Sequence, residues 1–131
     1  MRILLPLSAL LLSACATAGL GPNIAGRDWR AVDLNGLAVT GERPLSLRLD
    51  DGRVSGHGGC NSFTGTYKGD GDKIEFGPLA TPRMACDPAI MEQESRFLSI
   101  LGAARGYSRY GNGTLSVIAP DGRAVRFAQV R

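Results

Sequence analysis

Leu45, Leu47 and Leu49 alternate with Ser46, Arg48 and Asp50, a period of two that puts one face of a strand in a core and the other in water. Asp51-Gly52 follows, the dipeptide of a tight hairpin, and Arg53 to His57 returns as the partner strand. Upstream, Trp29 and Val32 sit in a short run that meets Asn35-Gly36, a second hairpin signal, before Leu37, Ala38 and Val39. Ser62 to Tyr67 and Ile74 to Phe76 read as strands on either side of the polar turn 68–72, and Gly77-Pro78 ends the second. Gly56, Gly58 and Gly59 interrupt this regularity, which predicts a crowded place with a bulge or a close backbone approach.

The period changes once. Ile90, Phe97, Leu98 and Leu101 fall at i, i+7, i+8 and i+11, with Glu92, Gln93, Ser95 and Arg96 assigned to the opposite side, predicting one amphipathic helix over about 88–104. Asp87 supplies an N-cap oxygen and Pro88 a ring preset for the first helical position. The helix is expected to end near Gly106, with Arg105 close to its negative pole. Tyr107 to Tyr110, Thr114 to Ile118 and Arg123 to Val130 complete the strands through turns at 111–113 and 120–122. Without a βαβ rhythm the sheet is antiparallel and must hide the helix stripe. The expected fold class is α+β: a single antiparallel β-rich domain, a curled sheet or partial barrel, with one helix.

The amino-terminal pattern is of another kind. After Arg2, residues 3–12 are uncharged and, Ser8 apart, apolar, and lead into Ser13, Ala14 and Cys15. As a helix this run rises only about 15–18 Å against a bilayer core of roughly 30 Å, so it reads as a secretory signal peptide and not a membrane span. Leu12-Ser13-Ala14-Cys15 resembles a bacterial lipobox, whose cysteine is acylated and becomes the first mature residue. The expected organisation is a lipoprotein signal peptide over 1–14, a lipidated amino terminus and tether over 15–26, and a folded domain over 27–131. Membrane attachment then runs through lipid, such as palmitate, on Cys15. Ala16 follows where an Asp favours inner-membrane retention by enterobacterial sorting, which leans toward the outer membrane, facing the periplasm.

Composition narrows the partners. The chain is formally +3 with both signs interspersed and no basic cluster, so no nucleic-acid surface is expected. Gly is frequent at 18 residues, but 44% hydrophobic content is enough for a core, so the glycines punctuate a folded, monomeric domain. With Cys15 committed to lipid, Cys60 and Cys86 are left in an oxidising compartment and suggest one disulfide. Free thiols or metal ligands remain alternatives. A zinc site from His57, Cys60 and Cys86 has the right ligand types but the chain holds only one histidine, and no metal or cofactor is assigned. Ser55 or Ser62 beside His57 lacks an orienting carboxylate, and the aspartates fall in turns, so no catalytic residues are assigned. Arg83 and Met84 lie in a loop that a bridge at Cys86 holds rigid, which makes them a candidate partner-binding pair. The plainer alternative packs Met84 under the sheet and leaves Arg83 solvated.

Two segments carry a family likeness: Gly56-His-Gly-Gly-Cys-Asn-Ser-Phe-Thr-Gly-Thr-Tyr67 and Leu79-Ala-Thr-Pro-Arg-Met-Ala-Cys86, followed by Glu94, Phe97 and Leu98. Together they resemble the META domain, the HslJ-like family of small bacterial envelope proteins. The likeness spans Trp29 to about Phe127 and falls on Gly59, Cys60, Asn61, Gly65, Tyr67, Met84, Ala85 and Cys86. It implies an antiparallel β-rich domain with a helix, often on a lipoprotein and in some members tied to heat-shock or antibiotic stress, but no reaction. The expectation is a non-enzymatic, lipid-anchored envelope protein in stress tolerance or envelope maintenance, binding an unknown envelope protein or small ligand. The alternative is a periplasmic inhibitor of a lysozyme-like or other envelope-attacking enzyme.

Overall fold

A computed structural model describes residues 19–21 and 23–130, so the expected signal peptide, Cys15 and the start of the tether lie outside the described residues. Nine strands and one helix follow in the order β1 (Asp28–Leu34), β2 (Leu37–Ala38), β3 (Ser46–Asp50), β4 (Arg53–His57), β5 (Ser62–Asp70), β6 (Lys73–Phe76), α1 (Pro88–Ala103), β7 (Gly106–Arg109), β8 (Thr114–Ile118) and β9 (Ala124–Gln129). Each strand pairs antiparallel with its neighbour, and β9 pairs back onto β1 from Trp29–Gln129 to Leu34–Val125. The curled sheet is therefore a closed barrel, with β2 a two-residue appendage on β1. Closure pairs the two strands that would otherwise be edges.

The hairpin dipeptides do what their chemistry permits. Asn35 and Gly36 have φ of 51° and 86°, and Asp51 and Gly52 have 48° and 79°, the left-handed pairs whose twist matches the flanking strands. Between them Leu45, Leu47 and Leu49 are at most 1% exposed, as their alternation predicts. β5 runs on to Asp70, so much of the supposed polar turn is strand, with Lys68–Glu75 and Asp70–Lys73 paired across the hairpin.

The register gives the barrel two ends. One carries the start of β1, the turns at 51–52, 71 and 110–113, and Gln129 at the end of β9. The other carries the glycine-rich turn after β4, the loop 77–87 and α1, which is inserted between β6 and β7 where Lys73 pairs with Gly106. Phe97 from α1 meets Phe63 of β5 edge-on at 5.8 Å and Phe127 of β9 at 6.1 Å. These strands face each other across the ring, separated by β6, β7 and β8 one way and by β1, β3 and β4 the other. The helix thus plugs the barrel mouth with an aromatic core contact between opposite walls.

Three expectations need correction. Gln93, assigned to the outer side of the helix, is buried together with Glu94, Phe97, Ile100 and Leu101, while Ile90 and Leu98 are only half-buried. The buried face turns toward polar partners in neighbouring loops and not only toward the barrel interior. Asp87 occupies the N-cap without a side-chain capping bond, leaving Pro88 as the start signal, while the helix span, Pro88–Ala103, is within one residue of the expected 88–104. Arg105 does lie at its end, where its guanidinium donates to the Ala104 carbonyl at 2.7 Å.

The third correction concerns the boundary at Arg27. Ile24 is 1% exposed, its carbonyl accepts the Trp29 indole N–H at 3.0 Å, and the Gly26 amide donates to Leu49 at 2.7 Å. Residues 19–21 and 23–26 of the presumed tether pack on the folded domain, where Ile24 and Leu20 bury apolar surface that a free linker would leave in water.

Candidate functional site

The glycine-rich turn after β4 forms around a carboxyl group. Glu94 reaches from α1 so that Oε1 accepts the backbone N–H groups of Cys60 at 3.2 Å and Asn61 at 2.6 Å, and Oε2 accepts the Asn61 side-chain amide at 2.8 Å. Glu94 is 4% exposed and Asn61 2%. Gly58 permits the approach: a Cβ there would sit 2.5 Å from Glu94 Oε1. The interrupted strand foretold crowding by backbone, which occurs at Gly56 against the Ser46 carbonyl, whereas at Gly58 the crowding group is a side chain. The role of Glu94 itself was missed, although its position three before Phe97 and seven before Leu101 places an acid inside the apolar stripe.

Asn61 passes the constraint on to the loop. Its Oδ1 accepts the Met84 N–H at 2.8 Å and its Nδ2 donates to the Met84 carbonyl at 3.2 Å. Two further fastenings flank this clamp: Ala80 and Thr64 exchange backbone hydrogen bonds of 2.8 and 3.1 Å, and a disulfide joins Cys60 to Cys86 with Cα atoms 5.9 Å apart. Gln93 treats the loop after β2 similarly, accepting from the Thr40 N–H and donating to its carbonyl, both at 2.9 Å. Buried amide side chains thus hold two loops by their backbones at the helix end of the barrel.

What remains free is the outer side of 82–89, all of it exposed. Met84 is 57% exposed, which overturns the reading that packs it under the sheet. Asn61 takes both backbone polar groups of Met84 on the inward side, so its side chain turns to solvent. Arg83 adopts a left-handed φ of 60°, a conformation that costs a non-glycine residue about 1 kcal/mol and persists only where neighbours enforce it. Pro82 before it and the clamped Met84 after it do so. The loop presents a cation and a soft apolar side chain on a backbone already ordered, so a partner meets little ordering cost.

The bridge closes a loop with a separation of 26 residues, for which the chain-entropy estimate is about 3.5 kcal/mol. Reduction, or Cys86→Ser, is expected to lower stability by about 2–4 kcal/mol and the melting midpoint by roughly 10 °C, read by circular dichroism with and without reductant. An unchanged midpoint on verified reduction counts against it.

His57 is not arranged as a base. Its Nδ1 accepts the Gly59 N–H at 3.0 Å, so the neutral ring carries its proton on Nε2, and that nitrogen has no lone pair for the hydroxyl of Ser62, paired across from it. The sulfurs of Cys60 and Cys86 are bonded to each other and are not the thiolates that zinc takes. Burial, aided by Arg43 and opposed by Glu94, holds the His57 pKa below its ordinary value. The unfolded chain therefore binds this proton more readily, so stability is complete above about pH 6.5 and declines as pH falls below it. His57→Asn is expected to flatten that decline in denaturant titrations between pH 7 and 5.

A family model described as META domain matches residues 22–131. The chain belongs to the META domain family. Two NMR structures share the fold of this META domain. One, of a protein from Burkholderia xenovorans, has a TM-score of 0.67 at 22% identity, covering 82% of this chain and 83% of that one. The other has a TM-score of 0.64 at 21% identity, covering 78% and 87%. Among curated proteins none matches the sequence significantly. The match begins at residue 22, close to the buried Ile24, and takes in Asn61, the Met84 loop and Glu94.

Proposed function

We propose that this META domain belongs to a lipid-anchored protein of the bacterial envelope that acts by binding, in stress tolerance or envelope maintenance, and that the Arg83–Met84 loop is its contact. Anchoring through Cys15 with the domain in the periplasm rests on the Leu12–Cys15 pattern, and placing the lipid in the outer membrane rests on Ala16, which stands where an Asp favours inner-membrane retention. The binding surface rests on one observation: Met84 is held at both backbone polar groups by Asn61 and yet is 57% exposed. A singly exposed apolar side chain is ordinary, as at Leu37, but one whose backbone is held at both polar groups is presented to a partner pocket at little ordering cost.

The test is photo-crosslinking in intact cells from a benzophenone amino acid at Met84, with the same probe at Ser99 on the helix as control. A discrete adduct from position 84 alone, lost with Arg83→Gly, is the expected result. That substitution suits the left-handed backbone and is expected to leave the midpoint equal or slightly raised. No adduct at 84, or the same adduct from both positions, rejects the loop as the contact. An adduct to a lysozyme-like enzyme, with inhibition by the purified domain, identifies the partner as an envelope-attacking enzyme.

A further inference from the structure

The segment before β1 does not hang free at the base of the barrel. The Gly71 amide donates to the Gly19 carbonyl at 3.0 Å, Leu20 bridges Gly71 in parallel, and the Gly21 amide donates to the Tyr107 hydroxyl at 2.7 Å. Tyr107 in turn donates to the Gly71 carbonyl, so one phenol holds both the strap and the β5–β6 turn. Leu20 lies directly on Gly69, where a Cβ would come within 2.1 Å of its Cδ2. The strap crosses the end of the barrel opposite the Met84 loop.

This shortens the leash. A tether free as far as Arg27 lets the domain tumble, but one pinned at Gly19 leaves only residues 16–18 between the pin and Cys15, four Cα steps with a reach of at most about 14 Å. The large apolar side chains exposed at that end are Tyr110, in the β7–β8 turn, and Val130, beside the start of β1, at 51% and 50%. Strands of this length rise about 15–25 Å, more than the leash can reverse.

We infer that the strap end is a lipid-facing surface: attached through Cys15, the barrel stands with Tyr110 and Val130 against the bilayer and the Arg83–Met84 loop pointing away. The inference rests on the lipid anchor proposed above. It accounts for both pairs of ends at once. The surface nearest the anchor carries interfacial side chains, and the clamped loop is lifted to where a soluble or peptidoglycan-side partner can reach it.

The experiment places a fluorescent non-canonical amino acid at Asn112, in the strap-end turn, or at Arg83, in the acylated protein reconstituted into phosphatidylethanolamine–phosphatidylglycerol vesicles. Some of the lipid bears a headgroup nitroxide. Quenching about three-fold stronger at 112 than at 83 is expected from the distances involved. Equal quenching, or the reverse order, overturns the inference. Gly69→Val, which displaces Leu20, and Leu20→Asp, which leaves β5 intact, are each expected to bring the ratio toward one in protein that still melts cooperatively. A ratio unmoved by either shows that the strap does not orient the domain. If mass spectrometry finds Cys15 unacylated in cells, the anchor itself is lost. The same quenching ratio measured on protein coupled at Cys15 to a maleimide lipid still decides whether the strap sets the orientation.

Discussion

Glu94→Ala is expected to destabilise the domain by about 3–5 kcal/mol, because the Cys60 and Asn61 amides it leaves behind are buried and each unmet donor costs about 1–3 kcal/mol. The melting midpoint falls by roughly 15 °C. Glu94→Gln separates the hydrogen-bonding role from simple packing. Its carbonyl oxygen still accepts the two backbone donors, but its NH2 group then faces the NH2 group of Asn61. Rotating Asn61 to relieve that contact breaks its bonds to Met84. The glutamine variant is expected to lose about 1–2 kcal/mol and to be nicked by trypsin after Arg83 faster than wild type, because the clamp has loosened. Equal stability of all three proteins in urea titration, or unchanged nicking, shows that the carboxyl group does not support the loop.

Phe97→Ala is expected to cost a similar 3–5 kcal/mol by a different route. The ring is fully buried and makes edge-on contacts to Phe63 and Phe127 on opposite walls, so its removal leaves a cavity at the barrel mouth that neither wall can fill alone. Phe97→Leu keeps most of the volume and is expected to lose only about 1–1.5 kcal/mol. Since α1 also carries Gln93 and Glu94, loosening its seat weakens the hold on Thr40, Asn61 and through it Met84. The two sites therefore couple. The Phe97→Ala, Glu94→Ala double variant is expected to lose less than the sum of the singles by about 0.5 kcal/mol or more in a double-mutant cycle. Strict additivity counts against a helix that seats as one unit.

Much of the fold was legible because strand signals are local. The Leu45, Leu47 and Leu49 alternation and the Asn35-Gly36 and Asp51-Gly52 turns each depend on a few neighbouring residues, and the barrel builds them as read. The helix also appeared near its expected span, with Phe97 and Leu101 buried. The burial of Gln93 was not legible, since the apolar period places it on the outer side whatever partners wait in loops far along the chain, and the role of Glu94 was missed although it falls within the apolar stripe. Thr40 lies 53 residues from Gln93, and Asn61 lies 33 from Glu94. Met84 illustrates the opposite error: an apolar residue in a short loop reads as core until Asn61 is found holding its backbone.

By itself the sequence determined the antiparallel hairpins, the place of the one helix and the family, because these follow from periods, turn dipeptides and motifs a few residues long. Only the tertiary structure decided that β9 returns to β1, that residues 19–21 and 23–26 lace onto the barrel and that the Met84 loop stands clamped and uncovered. Each depends on contacts between positions distant in the chain. Such contacts are chosen by how buried donors and acceptors can all be satisfied at once, a condition on the whole fold that no local pattern of hydrophobic and polar residues records.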